Sequence, residues 1–321
     1  MNNFIGTQTQ QVFVLKDVLA IVPGKYWMKK FGLKKFWPKI FLAGILAFPG
    51  PASPASAAES AKAAPPDLLP HRAIYKVTLA PNRGRGQVVG VDGRMVTELQ
   101  TTCEGHITSQ RIVTRMVDES DELSVSDISV SSWESLNGRS YQFTVRQRLD
   151  EDLIAEYEGN ADTETDGGTV RAMLRKPVEK TVTLPKGVLF PNGYMKALLK
   201  AAHAGQRQFS GQLFDGTSDA DYYQVVTSIG AGTTTKAAER NKTNVKPGMF
   251  IKSIEEVTRG ATWWPVQMSY FTQGKNEGLP EFEIAFHLYD NGVSNELVMD
   301  YGAFALLASL QQIEAYKPSD C

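Results

Sequence analysis

Cysteine is scarce in this sequence, whose 321 residues hold two, Cys103 and Cys321. Histidine is scarce too. None of His71, His106, His203 and His287 stands at metal-ligand spacing from another His or a Cys, which speaks against a zinc site. No Gly-x-Ser-x-Gly elbow or other nucleophile motif occurs, and nothing repeats at a fixed period. After residue 48 no apolar run approaches the ~20 residues a membrane-spanning helix needs.

What is present first is an export pattern. Lys25, Lys29, Lys30, Lys34, Lys35 and Lys39 precede the apolar run 40–48, and small residues and prolines then lead to Ala55-Ser56-Ala57. This is the three-part layout of a cleavable secretory signal, with cleavage expected after Ala57. A basic region counted from Met1 is unusually long, whereas Met28 as the start leaves a signal of ordinary length. Residues 1–57 are therefore read as extension plus signal, and the Pro-, Ala- and Ser-rich 58–68 as a flexible tether. No Cys follows the apolar run, so lipid attachment at the new N-terminus is not expected.

Removing residues 1–57 takes away seven Lys/Arg and one Asp and leaves 27 basic against 34 acidic residues, a net charge of −7. An acidic chain lacks the basic stripe that displaces counterions from nucleic acid, so no nucleic-acid partner is expected. The 264 residues that remain suit one large all-β domain or two small ones. Outside the cytoplasm an even pair of cysteines reads most simply as one disulfide, with a reactive or metal-bound pair as the alternative.

From residue 69 onward the hydrophobic period is two. Ala73/Tyr75/Val77/Leu79, Ile112/Thr114/Met116, Leu123/Val125, Tyr141/Phe143/Val145 and Val170/Ala172/Leu174 read as half-buried strands. Breaks at 82–86, Asp92-Gly93, Asn137-Gly138 and 166–168 supply candidate hairpin turns. Residues 191–205 differ: Pro191-Asn192 opens a stretch with Tyr194, Leu198 and Ala202 on one face, and Gly205 stands at the C-cap, so one helix is expected near 192–204. Strands resume over 208–214, 222–229, 249–258, 262–272, 281–289 and 293–301, while 304–316 fits strand or helix. The best hairpin signal is Phe282/Ile284/Phe286, the turn Asp290-Asn291-Gly292, then Leu297/Met299/Tyr301. The whole implies a mainly β, mostly antiparallel fold, either a large curled sheet or barrel or a sandwich, over 69–321. A curled sheet must hide an apolar concave face with a helix, a ligand or a partner.

Several residue groups invite a chemical role. Glu104 with His106 suggests a general base, although two residues apart on a strand they share a face and a local polar contact explains them equally. Asp215, Asp219 and Asp221 supply oxygen ligands of the kind calcium takes, without an EF-hand pattern. Asn241-Lys242-Thr243 matches a glycosylation triplet and reads as accidental. Trp263 and Trp264 fall on opposite faces of one strand, so at most one faces the core and the other is a candidate partner surface.

The ordered set Leu69-Pro70-His71-Arg72-Ala73 with Tyr75, Gly93-Arg94-Met95, Cys103-Glu104-Gly105, Leu189-Phe190-Pro191, Leu213-Phe214-Asp215-Gly216 and a C-terminal cysteine resembles the EipB family of periplasmic cell-envelope integrity proteins. The resemblance spans 69–321 and implies a β-spiral, a wound antiparallel sheet like an incomplete barrel, with a disulfide falling here on Cys103 and Cys321. It implies a non-enzymatic role without cofactor or metal, in the periplasm, supporting the envelope through partner proteins carrying tetratricopeptide repeats. A carrier of lipid or lipopeptide, using an apolar concave face, is the alternative. The extension before Met28 and the Thr-rich loop 230–242 depart from the family pattern and blur the outline of any partner surface.

Overall fold

The computed structural model describes residues 68–81, 88–217, 222–235, 254–272 and 278–317. The expected signal, the tether up to residue 67, the break at 82–86, the Asn241 triplet and Cys321 lie outside them, whereas Leu68, expected in the tether, is buried in the core. The first eight strands are β1 (His71–Leu79), β2 (Val88–Thr101), β3 (Gly105–Asp118), β4 (Leu123–Ser135), β5 (Ser140–Leu149), β6 (Asp152–Asp162), β7 (Val170–Lys176) and β8 (Lys180–Leu184). A two-residue strand, β9 (Val188–Leu189), leads into helix α1 (Pro191–His203). There follow β10 (Gln208–Leu213), β11 (Tyr223–Ile229), β12 (Thr233–Thr234), the short helix α2 (Ile254–Thr258), β13 (Thr262–Thr272), β14 (Phe282–Tyr289), β15 (Ser294–Asp300) and β16 (Ala305–Ala315).

All sixteen strands belong to one sheet in the order β8-β7-β6-β5-β4-β3-β2-β1-β16-β15-β14-β13-β11-β10-β9, with β12 paired to β13. Two up-and-down meanders thus meet at the β1–β16 seam, and every pairing is antiparallel except β9 with β10. The outer edges, β8 and β9, are consecutive in the chain and separated only by residues 185–187. That short link obliges the sheet to roll until its edges approach, giving a nearly closed barrel without a ladder across the gap. Leu184 of β8 and Val188 of β9 share a core cluster, so the gap is closed by packing. No helix among the described residues is long and apolar enough to cross a membrane.

The alternation read from the sequence holds in β1, β5, β7, β11 and β13, whose inward residues are buried. The β14–β15 hairpin forms about the predicted turn, where Gly292 takes φ +84°, a left-handed geometry open to glycine. Residues 304–316 resolve to strand β16, which pairs with both β15 and β1. Two expectations are corrected. Residues 254–258, expected in a strand, form α2, whose Ile254 and Val257 pack on the second core cluster. Asp92-Gly93, expected as a turn, lies inside β2, and a Cβ at Gly93 would stand 2.5 Å from the Val113 carbonyl oxygen. Glycine is needed there for close strand approach, as it is in strands generally where another backbone crowds in.

Helix α1 lies on the concave side and joins the two meanders. Tyr194, Leu198, Leu199, Ala201 and Ala202 are buried with Val225, Val266, Met268 and Leu288 of the second meander. The Tyr194 hydroxyl meets Thr227 Oγ1 at 2.9 Å, and Thr227 is fully buried. Each fully buried Leu contributes about 2 kcal/mol of apolar transfer, so this face anchors the helix. Its C-terminus follows the expected cap: Gly205 takes φ +71°, and the Gly205 and Gln206 amides donate to Ala202 and Ala201 carbonyls. The concave wall of β3–β5 mixes the expected apolar residues, Met116, Tyr141, Phe143 and Val145, with buried polar ones, Thr114, Ser126, Ser132, Glu134 and Gln147.

Candidate functional site

The first turn of α1 is where the polar wall meets the helix. Phe190 at its N-cap offers no side-chain hydrogen bond, and the first turn holds no acidic residue. The exposed amides of such a turn need acceptors. They find them on β4, where alternation sends Glu134 inward. The Asn192 amide donates to Glu134 Oε2 and the Gly193 amide to Oε1, each at 2.8 Å. A Cβ at Gly193 would come within 3.2 Å of Oε1, so glycine lets the carboxylate sit this close.

Glu134 is 2% exposed. Burial pushes its carboxyl up to about 7, against the helix amides, the Asn192 side chain and the Lys196 charge, which pull it down. One turn further along α1, Lys196 Nζ lies 2.9 Å from His106 Nε2. A lysine ammonium only donates, so Nε2 accepts and the network places the ring proton on Nδ1, 3.0 Å from Thr101 Oγ1. Among the described residues Glu134 and Lys196 form no direct ion pair with each other. Both face a cleft of about 230 Å³ at the barrel rim, together with His106, Gly193 and the turns 135–138 and 166–168.

Beside the cleft is an aromatic cluster that fixes the entry of α1. Tyr141 stacks on Phe190 at 5.1 Å and on Phe143 at 5.5 Å, and Phe214 meets Phe143 edge-on at 5.6 Å. The Tyr141 hydroxyl donates to the Asp215 carbonyl at 3.1 Å. Gly216 lies against the Phe143 ring with no room for a Cβ.

These contacts join Leu189-Phe190-Pro191 to Leu213-Phe214-Asp215-Gly216, two of the segments that carry the resemblance, and the EipB-like family profile matches residues 62–317. The chain belongs to the EipB-like family. Its similarity to the cell envelope integrity protein EipB of Brucella abortus is 36% identity over 276 residues, 85% of this chain and 92% of that protein. It is also similar to the crystal structure of a β-barrel-like protein of a domain of unknown function from Brucella abortus. There the TM-score is 0.67 and the identity 31%, covering 78% of this chain and all of the other. The EipB-like fold expected as a curled, incomplete-barrel sheet with an inserted helix is the one observed.

Other residues singled out in the sequence are dispersed over this EipB-like barrel. Cys103 is exposed in the β2–β3 turn. Glu104 shares that turn and is exposed, whereas His106 is buried one residue into β3, so the two do not share a face and form no general-base pair. His71 is buried and bonds the Leu69 carbonyl at 2.7 Å, and burial lowers its pKa. Asp215 turns its carboxylate to the Thr217 amide and hydroxyl at 2.9 and 2.7 Å, while Asp219 and Asp221 lie outside the described residues.

The tryptophan pair divides as alternation requires. Trp264 is buried, edge-on to His203 at 4.9 Å, which removes it as a partner surface. Trp263 faces outward, half-buried against His287 at 4.2 Å, and alone of the pair remains available to a partner. Glu134, Lys196 and the Asn192-Gly193 amides were not singled out. The available signal was an acidic residue in register with Val130 and Ser132 on the inward face of β4.

Proposed function

We propose that this protein supports cell-envelope integrity as a non-enzymatic, exported scaffold that binds other envelope proteins. The carrying observation is that α1 occupies the concave side of the sheet, from Glu134 on β4 to Val266 and Met268 on β13. A lipid carrier uses an open apolar cavity of several hundred Å³. Here α1 covers the apolar residues of β11, β13 and β14, and the wall of β3–β5 carries buried Thr, Ser, Gln and Glu beside Tyr141, Phe143 and Val145. Binding energy is then better sought on outer faces, with Trp263 as one anchor. The family name of the Brucella abortus relative supports the envelope role.

A disulfide between Cys103 and Cys321 belongs to this reading. His71 of β1 faces Leu99 on β2 and Ala315 on β16, so the two chain segments leave the sheet about 10 Å apart, two strand spacings. Cys103 lies four residues beyond Leu99 and Cys321 six beyond Ala315. At up to ~3.3 Å per residue these reaches span the interval without moving a strand.

Crosslinking in intact cells followed by affinity capture of the tagged, exported protein tests the scaffold. Specific recovery of envelope proteins, tetratricopeptide-repeat proteins among them, is expected, with loss of at least one partner in Trp263→Ala. Recovery of copurifying lipid with no envelope protein would overturn the reading in favour of a carrier.

A further inference from the structure

We propose that the rim cleft between α1 and β4 binds a small zwitterion, an amino acid or the end of a short peptide, with its ammonium on Glu134 and its carboxylate on Lys196. Glu134 and Lys196 face one cavity without a direct ion pair between them, while Asp166, which also lines it, is held by Arg139 at 2.6 Å. Each Glu134 oxygen accepts one helix amide at 2.8 Å, and with the Asn192 side chain as a third donor the carboxylate still has an acceptor position open. Neutral amides compensate a buried carboxylate only partly, and its upward shift records the remainder. An ammonium in the cleft supplies what is missing. Lys196 is complementary: its ammonium donates one hydrogen bond, to His106 Nε2 at 2.9 Å, which leaves two further donors on Nζ.

The cavity is the right size and has an open mouth. At about 230 Å³ the cleft has room for an amino acid or a dipeptide. Gly138 and Gly167 are among its lining residues, and a Cβ at either would meet nothing within 4 Å. Ser135, Asn137 and Thr163 line the way in and offer neutral hydrogen-bonding groups. Charge-assisted hydrogen bonds at both ends would fix the ligand's direction.

The probe is alanylalanine, titrated into the exported, oxidised protein and followed by amide chemical shifts. Perturbations are expected at Gly138, Gly167 and Gly193. N-acetyl-alanylalanine and alanylalanine amide, each lacking one charge, are expected to bind at least roughly tenfold more weakly. Lys196→Met should abolish the preference for the free acid over the amide, with the melting temperature showing that the fold persists. Alanine binding as tightly as the dipeptide assigns the cleft to amino acids, and dipeptide binding alone assigns it to peptide ends. Absence of binding at about 10 mM, or equal binding of all three peptides, overturns the proposal. The scaffold role does not need an occupied cleft, so capture of envelope partners by Lys196→Met protein separates the two.

Discussion

Glu134 shows how one side chain can serve as a cap and carry an electrostatic cost together. Its folded pKa, about 7, lies above the ordinary 4.5 because burial disfavours the charged form. A raised carboxyl pKa means the folded state holds the proton more tightly than the unfolded state. Its contribution to stability is fully present below pH 4.5 and is lost as pH rises through 7, by up to about 3 kcal/mol. Buried His71 has the opposite slope, since its lowered pKa penalises the fold in acid. That slope is common to wild type and to Glu134→Gln and cancels between them. Denaturant unfolding at pH 5 and pH 8 should therefore show Glu134→Gln gaining up to about 3 kcal/mol on wild type at the higher pH. Parallel pH profiles would show that the carboxyl titrates normally.

At the level of strands and turns, two Asx-Gly pairs that look alike in sequence have different functions. Asn137-Gly138 makes the β4–β5 turn, with φ +66° at the glycine and open space where a Cβ would go. Asp92-Gly93 continues β2 through a place where β3 crowds the backbone. Gly138→Ala should cost about 1 kcal/mol through left-handed backbone strain alone. Gly93→Ala forces a strand apart and should cost roughly 1–3 kcal/mol, with the larger fall in melting temperature. Equal effects would mean that β2 and β3 are looser here than their register indicates. A dipeptide carries no information on which of these settings it occupies, because the crowding atom, the Val113 carbonyl, comes from another strand. The same reason hid the Glu134 site: β4 was legible only in part, and the helix amides it caps lie 58 and 59 residues away. Alternation in β13, by contrast, already placed Trp263 and Trp264 on opposite faces.

For the whole molecule, the β1–β16 seam joins the two meanders by hydrogen bonds, and the proposed disulfide ties β2 to the chain beyond β16 across that seam. The loop it closes is 218 residues long, for which chain entropy allows stabilisation on the order of 5 kcal/mol as an upper bound. Reduction, or Cys103→Ser with Cys321→Ser, should lower the melting temperature by about 5–15 °C. Faster migration of the oxidised protein on a non-reducing gel should accompany it. Two free thiols in protein recovered from an oxidising compartment would contradict the pairing.

Strand content, the position of α1, its glycine cap and the inward or outward sense of most apolar residues follow from the sequence by itself, because period, capping and turn chemistry are local. Family membership was legible too, from the order of short segments between Leu69 and the C-terminal cysteine. Only the tertiary structure decided that one sheet of sixteen strands rolls up through the short β8–β9 link, that α1 fills its concave side, and that Glu134 meets Lys196 across a cleft. Those outcomes depend on pairings between residues far apart in the chain, where burial and hydrogen-bond geometry are set jointly by strands and a helix that no local window contains.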